Sequence, residues 1–319
     1  MITYIFFALG FVLLIAGARI LIKGSTSIGF RFGLSQLVIG LTIVAMGTSL
    51  PELIINVFAS IKGNTGLAVG NVLGSNITNT LLIIGAAAII YPTKVHQEII
   101  GRDVRTNFTS LAVLALLAND FVFGRTNSIS RIDGIILLIF FLYYMYESFF
   151  KQKKEEKKPD VATQETLSLT MALLLTVGGI AGLYFGGRWI VDGVEKMSKD
   201  LGISGSTIGL TLVAGATSLP ELVTSVIAAI KKDADIAIGN VVGSNIFNML
   251  LVLGVSAVIR PIDYASGMNN QLIIFLASLL LLILFIKTGK KSLTISRFEG
   301  ILLLLGYFCF LYYTIYWQP

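Results

Sequence analysis

The chain has 319 residues, 55% of them hydrophobic and 13% charged, and its mean hydropathy is +0.84. A soluble globular domain carries about 25% charged residues, so this composition excludes one and points to a polytopic membrane protein. The net charge of +6 is no sign of nucleic acid, because much of the positive charge sits in one run, KQKKEEKKPD, at 151–160.

Windows of about 20 apolar residues mark membrane spans. In chain order they predict ten helices, near 3–22, 36–61, 67–91, 106–123, 132–150, 168–191, 205–230, 235–259, 269–287 and 297–316. The first window lacks a basic leader, although AGA at 16–18 resembles a cleavage site. Its counterpart later in the chain is internal, so it is expected to stay. The loop YPTKVHQEII holds the lone His96, which reads as a solvated loop residue rather than a metal ligand. The polar stretch 151–166 separates five spans from five. Near the end, the single Cys309 excludes an internal disulfide framework.

Sliding the chain against itself by 169 residues aligns GLTIVAMGTSLPEL (40–53) with GLTLVAGATSLPEL (209–222). The same shift aligns AVGNVLGSNITNTLLIIG (68–85) with AIGNVVGSNIFNMLLVLG (237–254), with no gap. From 40 to 85 there are 27 identities in 46 positions, and upstream Gly10, Gly17, Arg19 and Gly24 fall on Gly179, Gly186, Arg188 and Gly193. This is an internal duplication. An odd number of helices per half makes the second copy enter the membrane from the opposite side. The fold expected is therefore all-α, with ten transmembrane helices as two inverted five-helix repeats, 1–150 and 167–319, joined by a linker at 151–166. Assigned to the nearer membrane face, 17 of the 24 Lys and Arg residues fall on the linker's side. The positive-inside rule makes that side cytoplasmic and puts both termini outside.

The repeated motif breaks the rules of a membrane helix. Pro51 and Pro220 have no N–H to donate, and each ring clashes with the carbonyl four residues back. Each helix should bend there and release carbonyls near Ala45–Thr48 and Ala214–Thr217, where Thr48, Ser49, Thr217 and Ser218 add hydroxyl oxygens. An unpaired carbonyl in a bilayer costs several kcal/mol unless a cavity, ion or neighbour satisfies it. Of the 18 acidic residues only Glu52 and Glu221 are placed in mid-membrane. A charge there costs about 2.5–3.5 kcal/mol on insertion scales and is usually functional. Neither glutamate has a basic partner at its predicted depth. Downstream, Asn71, Ser75 and Asn79 recur every four residues on one helix face, as do Asn240, Ser244 and Asn248. Gly70 and Gly74 permit close backbone approach. Taken singly, a proline is a kink, GxxxG is packing and a membrane Asn or Ser is interhelical glue. Their joint duplication around two glutamates favours an oxygen cage for a hard cation such as Ca²⁺ or Na⁺.

These motifs, GTSLPE with GNVLGSNITN and ATSLPE with GNVVGSNIFN, resemble the paired α-repeats of the cation/calcium antiporter superfamily, most closely its prokaryotic sodium/calcium exchanger-type members. In sequence the resemblance covers about 39–86 and 208–255. It implies an integral protein of the prokaryotic inner membrane that transports rather than catalyses, needs no cofactor, and exchanges Ca²⁺ for Na⁺ by alternating access while the first and sixth helices slide. Carried over, Glu52 and Glu221 ligate Ca²⁺ and Na⁺, and Thr48 and Thr217 ligate Ca²⁺ mainly through main-chain oxygens. Ser49, Ser75, Ser218 and Ser244, with the carbonyls of Ala45 and Ala214, line flanking Na⁺ sites, and Asn79 and Asn248 complete the centre. Asn248 stands where some members, including the potassium-dependent branch, have aspartate, which weakens a K⁺-coupled reading. Ala216 stands where the first repeat has Gly47. The proton-coupled branch carries a Glu-His pair that is missing here, which favours Na⁺ over H⁺. The linker is too short for the regulatory Ca²⁺-binding domains of animal exchangers. Two other readings are a Ca²⁺/H⁺ exchanger, since glutamates titrate, and a passive cation channel.

Overall fold

The computed structural model describes residues 2–32, 45–95, 99–119, 127–148, 167–232, 234–288 and 293–317, and these are mostly helical. His96, the linker 151–166 and the first part of the second predicted span lie outside the described residues. In chain order the helices are α1 (Ile2–Arg31), α2 (Ala45–Thr48), α3 (Leu50–Lys62), α4 (Thr65–Ile90), α5 (Arg105–Ala118) and α6 (Arg131–Tyr146). The second half follows with α7 (Leu169–Leu201), α8 (Gly205–Thr217), α9 (Leu219–Ile230), α10 (Ala234–Phe247, continuing to Ile259), α11 (Met268–Thr288) and α12 (Arg297–Tyr316). Among the described residues six helices are long and apolar enough to cross a membrane, and the bent pair α8–α9 makes a seventh.

The predicted span at 3–22 extends to Arg31 and that at 168–191 to Leu201, giving helices of 30 and 33 residues. Hydropathy reports where the chain leaves the hydrocarbon, not where its helical hydrogen bonding stops. At about 1.5 Å per residue, α7 exceeds the roughly 30 Å hydrocarbon layer. It ends where Gly202 turns left-handed, at φ +66°, a conformation that only glycine adopts at no steric cost.

α1 and α7 lie antiparallel and touch backbone to backbone. A Cβ placed on Gly10 would stand 2.9 Å from the Gly186 carbonyl oxygen, and one on Gly17 would stand 2.8 Å from that of Gly179. α4 and α8 meet in the same way. Cβ atoms on Gly70 and Gly74 would each stand 2.5 Å from a carbonyl oxygen, that of Ser206 and that of Leu210. Small residues at this spacing let membrane helices approach closely enough for dispersion to hold them.

Two short antiparallel ladders tie the connections. β1 (Thr93–Lys94) pairs with β4 (Thr294–Ile295), and β2 (Ser128–Ile129) pairs with β3 (Ile262–Asp263). Next to β2 and β4, Ser130 and Ser296 open α6 and α12 with reciprocal capping boxes to Asp133 and Glu299. Polarity is distributed inside out relative to a soluble protein. Ile135, Ile139 and Leu142 of α6 and Leu276, Leu280 and Leu284 of α11 are exposed, whereas Glu52, Asn56, Asn71, Asn76, Glu221, Asn240 and Asn248 are wholly buried. A bilayer solvates the former, so the polar set must find its partners inside the bundle.

Candidate ion-binding site

The two prolines do break their helices. α2 stops at Thr48 and α3 restarts at Leu50, with Ser49 between them at φ −84°, ψ 2°. In the second copy Ser218 sits at φ −76°, ψ 1° and the axis bends by 40°. The carbonyls of Ser49 and Ser218 accept from the N–H groups of Leu53 and Leu222, at 3.1 and 2.9 Å, and so restart the ladder. The break has a consequence beyond released carbonyls. It creates two new helix N-termini inside the bundle, with Glu52 and Glu221 in their first turns. Unpaired N–H groups and the helix dipole favour negative charge at that position.

Around the carboxylates lies a hydroxyl and amide shell drawn from both halves. Ser75 Oγ donates to Glu52 Oε1 at 3.4 Å, and Ser49 Oγ and Ser244 Oγ each donate to Glu221 Oε1 at 3.3 Å. The Thr48 hydroxyl donates to Asn240 Oδ1 at 3.1 Å and the Thr217 hydroxyl to Asn71 Oδ1 at 3.3 Å. Thr48 also lies 3.4 Å from Ser244 Oγ, and Thr217 lies 3.5 Å from Ser75 Oγ. The Ala214 carbonyl accepts from the Ser218 N–H at 3.0 Å and the Thr217 hydroxyl at 3.3 Å. Ala45 opens α2 at the corresponding place. Among the residues expected to hold the ion, Glu52 Oε2, Glu221 Oε2, Ser218 Oγ, Asn248 Oδ1 and both amide atoms of Asn79 are buried with no protein partner. Ion pairs of Lys62 with Asp192 and Glu195, of Arg102 with Asp103 and of Lys196 with Asp200 involve neither glutamate. A buried carboxylate oxygen with no donor costs several kcal/mol unless a cation or proton meets it. Among the described residues, two carboxylates amid hydroxyl and amide oxygens form a donor set for a hard cation.

The sequence reading placed Asn71 and Asn240 in the polar rows but left out Asn56 and Ser225, which hold them: Asn71 Nδ2 donates to Asn56 Oδ1 at 2.8 Å, and Asn240 Nδ2 donates to Ser225 Oγ at 3.0 Å and to the Glu221 carbonyl at 3.2 Å. Asn56 and Ser225 are themselves 169 residues apart, and that polar coincidence was the available signal. Asn79 and Asn248 each begin a widened helical turn, Asn79–Ile83 and Asn248–Val252, and a third, Gly209–Val213, leads into Ala214. Such π-type turns gather at functional sites, and hydropathy carries no trace of them.

The sodium/calcium exchanger protein family matches residues 2–150 and 171–316. The chain belongs to the sodium/calcium exchanger family. Within it, the chain is 36% identical to the protein named CaxA of Alkalimonas amylolytica, covering 98% of each chain. It is 33% identical to the inner membrane protein YrbG of Escherichia coli, over 97% of this chain and 95% of that one. It is 32% identical to the sodium/calcium exchanger MaX1 of Methanosarcina acetivorans, over 99% of both. Among solved structures it resembles the sodium-calcium exchanger NCX_Mj soaked with Na⁺ and Ca²⁺, with a TM-score of 0.69, 33% identity, and coverage of 100% of this chain and 99% of that one. Membership of this family makes the chain a membrane cation/Ca²⁺ antiporter.

Proposed function

We propose that the protein exchanges Ca²⁺ for Na⁺ by alternating access. The transported ions are held by Glu52, Glu221, Thr48, Thr217, Ser49, Ser218, Ser75, Ser244, Asn79, Asn248 and the carbonyls of Ala45 and Ala214. The observation that carries this reading is the pair of buried glutamates on two broken helices, each with one carboxylate oxygen lacking a partner. The frame proposed is ten helices in two inverted five-helix repeats, with the linker 151–166 cytoplasmic and both termini outside. Two regularities support it. The Gly10–Gly186 contact maps onto Gly17–Gly179 under the 169-residue shift, as a two-fold axis between α1 and α7 requires. The β1–β4 ladder has its counterpart in β3–β2, with β3 at the same 169-residue shift from β1 and β4 166 residues after β2.

Charge explains why exchange is obligate. Two bare carboxylates are too costly to occlude in a dry midplane. One Ca²⁺ neutralises both, as do two Na⁺ or two protons, and a third Na⁺ makes the cycle electrogenic. The empty carrier therefore switches slowly. The test is isotopic Ca²⁺ uptake into proteoliposomes under outward Na⁺ or outward H⁺ gradients. Na⁺-driven uptake that collapses without Na⁺ is the expected outcome. Uptake driven by H⁺ alone assigns the proton as counter-ion, and flux with neither gradient indicates a channel.

A further inference from the structure

We propose that Asn76 is a positioning residue that fixes which atom of the Asn248 amide is offered to the transported cation. The inference rests on the reading of Asn248 as a member of the ion site.

Asn76 lies on α4 and Asn248 opens the widened turn of α10; both are wholly buried. Asn248 Nδ2 donates to Asn76 Oδ1 at 3.2 Å, and Asn76 Nδ2 donates to the main-chain carbonyl of Asn245 at 3.4 Å. Asn245 Nδ2 donates to Thr80 Oγ1 at 3.0 Å, and the Thr80 hydroxyl donates to the Asn76 carbonyl at 2.9 Å. An amide has one donor end and one acceptor end, and a main-chain carbonyl only accepts. The Asn245 carbonyl therefore fixes the direction of the Asn76 amide and, through it, that of Asn248, while the Asn76 carbonyl fixes the separate Thr80–Asn245 branch. Turning Asn76 around would set its Oδ1 against the Asn245 carbonyl and its Nδ2 against the Asn248 Nδ2, losing both bonds. Asn248 must spend its Nδ2 on Asn76, and the atom left over is Oδ1, which has no protein partner. Position 248 thus supplies a neutral oxygen, not an N–H.

The other half lacks this device. Asn79 corresponds to Asn248, but neither of its amide atoms has a partner, and Asn245 Oδ1 is also unpartnered. Thr80, which the second copy replaces by Met249, takes the Asn245 Nδ2 that the mirror relay would aim at the Asn76 carbonyl, so that relay does not form. The relay further restricts position 248 to a side chain that donates toward Asn76. An aspartate there would set two acceptors face to face.

The experiment measures Ca²⁺ and Na⁺ dependence of exchange in proteoliposomes for Asn76→Ala, Asn248→Ala, Asn79→Ala and the pairs Asn76→Ala/Asn248→Ala and Asn76→Ala/Asn79→Ala. Asn76→Ala is expected to raise the Ca²⁺ KM about two- to tenfold, the range of one hydrogen bond, with kcat little changed. It should add nothing further in the Asn248→Ala background and should add fully in the Asn79→Ala background. A full additional shift on top of Asn248→Ala overturns the proposal, as does an unchanged KM in Asn76→Ala. If Asn248→Ala alone leaves both ion dependences intact while Glu52→Gln and Glu221→Gln abolish exchange, this inference fails and the carboxylate site stands. If the glutamate variants also exchange normally, the site itself is wrong. Asn76→Leu provides an isosteric second variant. Failure of both Asn76 variants to elute as a single species assigns the residue to folding and overturns the positioning role.

Discussion

Glu221→Gln isolates charge from shape. Glu221 Oε1 already accepts from Ser49 and Ser244 at 3.3 Å, and a glutamine oxygen can accept both bonds unchanged. What the substitution removes is the negative charge and the second oxygen, Oε2, which has no protein donor. At an effective dielectric of about 20, unit charges about 4 Å apart interact by about 4 kcal/mol. The variant should therefore lose about 8 kcal/mol of Coulomb attraction for Ca²⁺ and about 4 kcal/mol for Na⁺ before desolvation is counted. Ca²⁺ binding should fall roughly a thousandfold more than Na⁺ binding. In the ion-free protein the sign reverses: replacing a buried, underpaired carboxylate by a neutral amide should raise Tm. The assay is thermal unfolding in detergent against ion concentration. A ligand at about 100 times its Kd stabilises the native state by about 2.7 kcal/mol, so wild-type Tm should climb with Ca²⁺. Glu221→Gln should start higher and stay flat over the same range. A normal Ca²⁺-dependent rise in the variant, or normal isotopic exchange, would refute the assignment of Glu221 to the ion.

Three further outcomes follow from the geometry. Ser49→Ala deletes a bond to Glu221 and should lower ion-free Tm by the equivalent of about 1 kcal/mol, whereas Ser218→Ala, whose hydroxyl has no partner, should leave it unchanged; equal shifts would contradict the asymmetry. Gly74→Ala drives a Cβ to 2.5 Å from the Leu210 carbonyl oxygen and 2.7 Å from the Ala214 Cβ. It should cost about 1–3 kcal/mol by overpacking and raise the Na⁺ KM through Ala214, as read by unfolding and uptake. Lys62→Ala removes partly exposed ion pairs to Asp192 and Glu195 at 2.5 and 3.0 Å. It should cost no more than about 1 kcal/mol, a loss that choline chloride erases by screening in the wild type.

Much of this architecture was legible because a membrane demands it. The predicted spans at 67–91, 235–259, 269–287 and 297–316 lie within a few residues of α4, α10, α11 and α12, since apolar length is what a bilayer selects. The breaks at Ser49 and Ser218 were legible from Pro51 and Pro220, because a missing N–H acts locally. The far ends of α1 and α7 were not, because a helix outside the bilayer leaves no hydropathy signal. The orienting contacts of Asn56, Ser225, Asn76 and Asn245 were not legible either. Each depends on which helices face each other, and a lone polar residue in a membrane helix serves packing as readily as function. The widened turns at Asn79 and Asn248 are invisible for a related reason: one extra residue per turn changes no composition.

Duplication supplies two similar half-sites, and divergence at a few positions makes them unequal. Thr78 and Phe247 are equivalent, yet Phe247 stacks edge-on against Phe141 at 5.1 Å. Gly215 stands where the first copy has Met46, and a Cβ on Gly215 would lie 3.7 Å from the Tyr307 hydroxyl. In the second copy a ring thus replaces the Thr78 hydroxyl, and Gly215 leaves open space beside Ala214 where the first copy carries the exposed Met46. Thr80 and Met249 differ in the same sense, since only the hydroxyl can hold the Asn245 amide away from Asn79. A two-fold arrangement with identical halves would hold the same ion equally well from either direction and give the same barrier both ways. Replacing hydroxyls by apolar groups on one side makes dehydration of an ion more costly there, so the two directions of approach acquire different barriers while both glutamates stay shared. That inequality resides in side chains, not in the frame, so Met46→Gly and Gly215→Met should redistribute ion access without disturbing the fold.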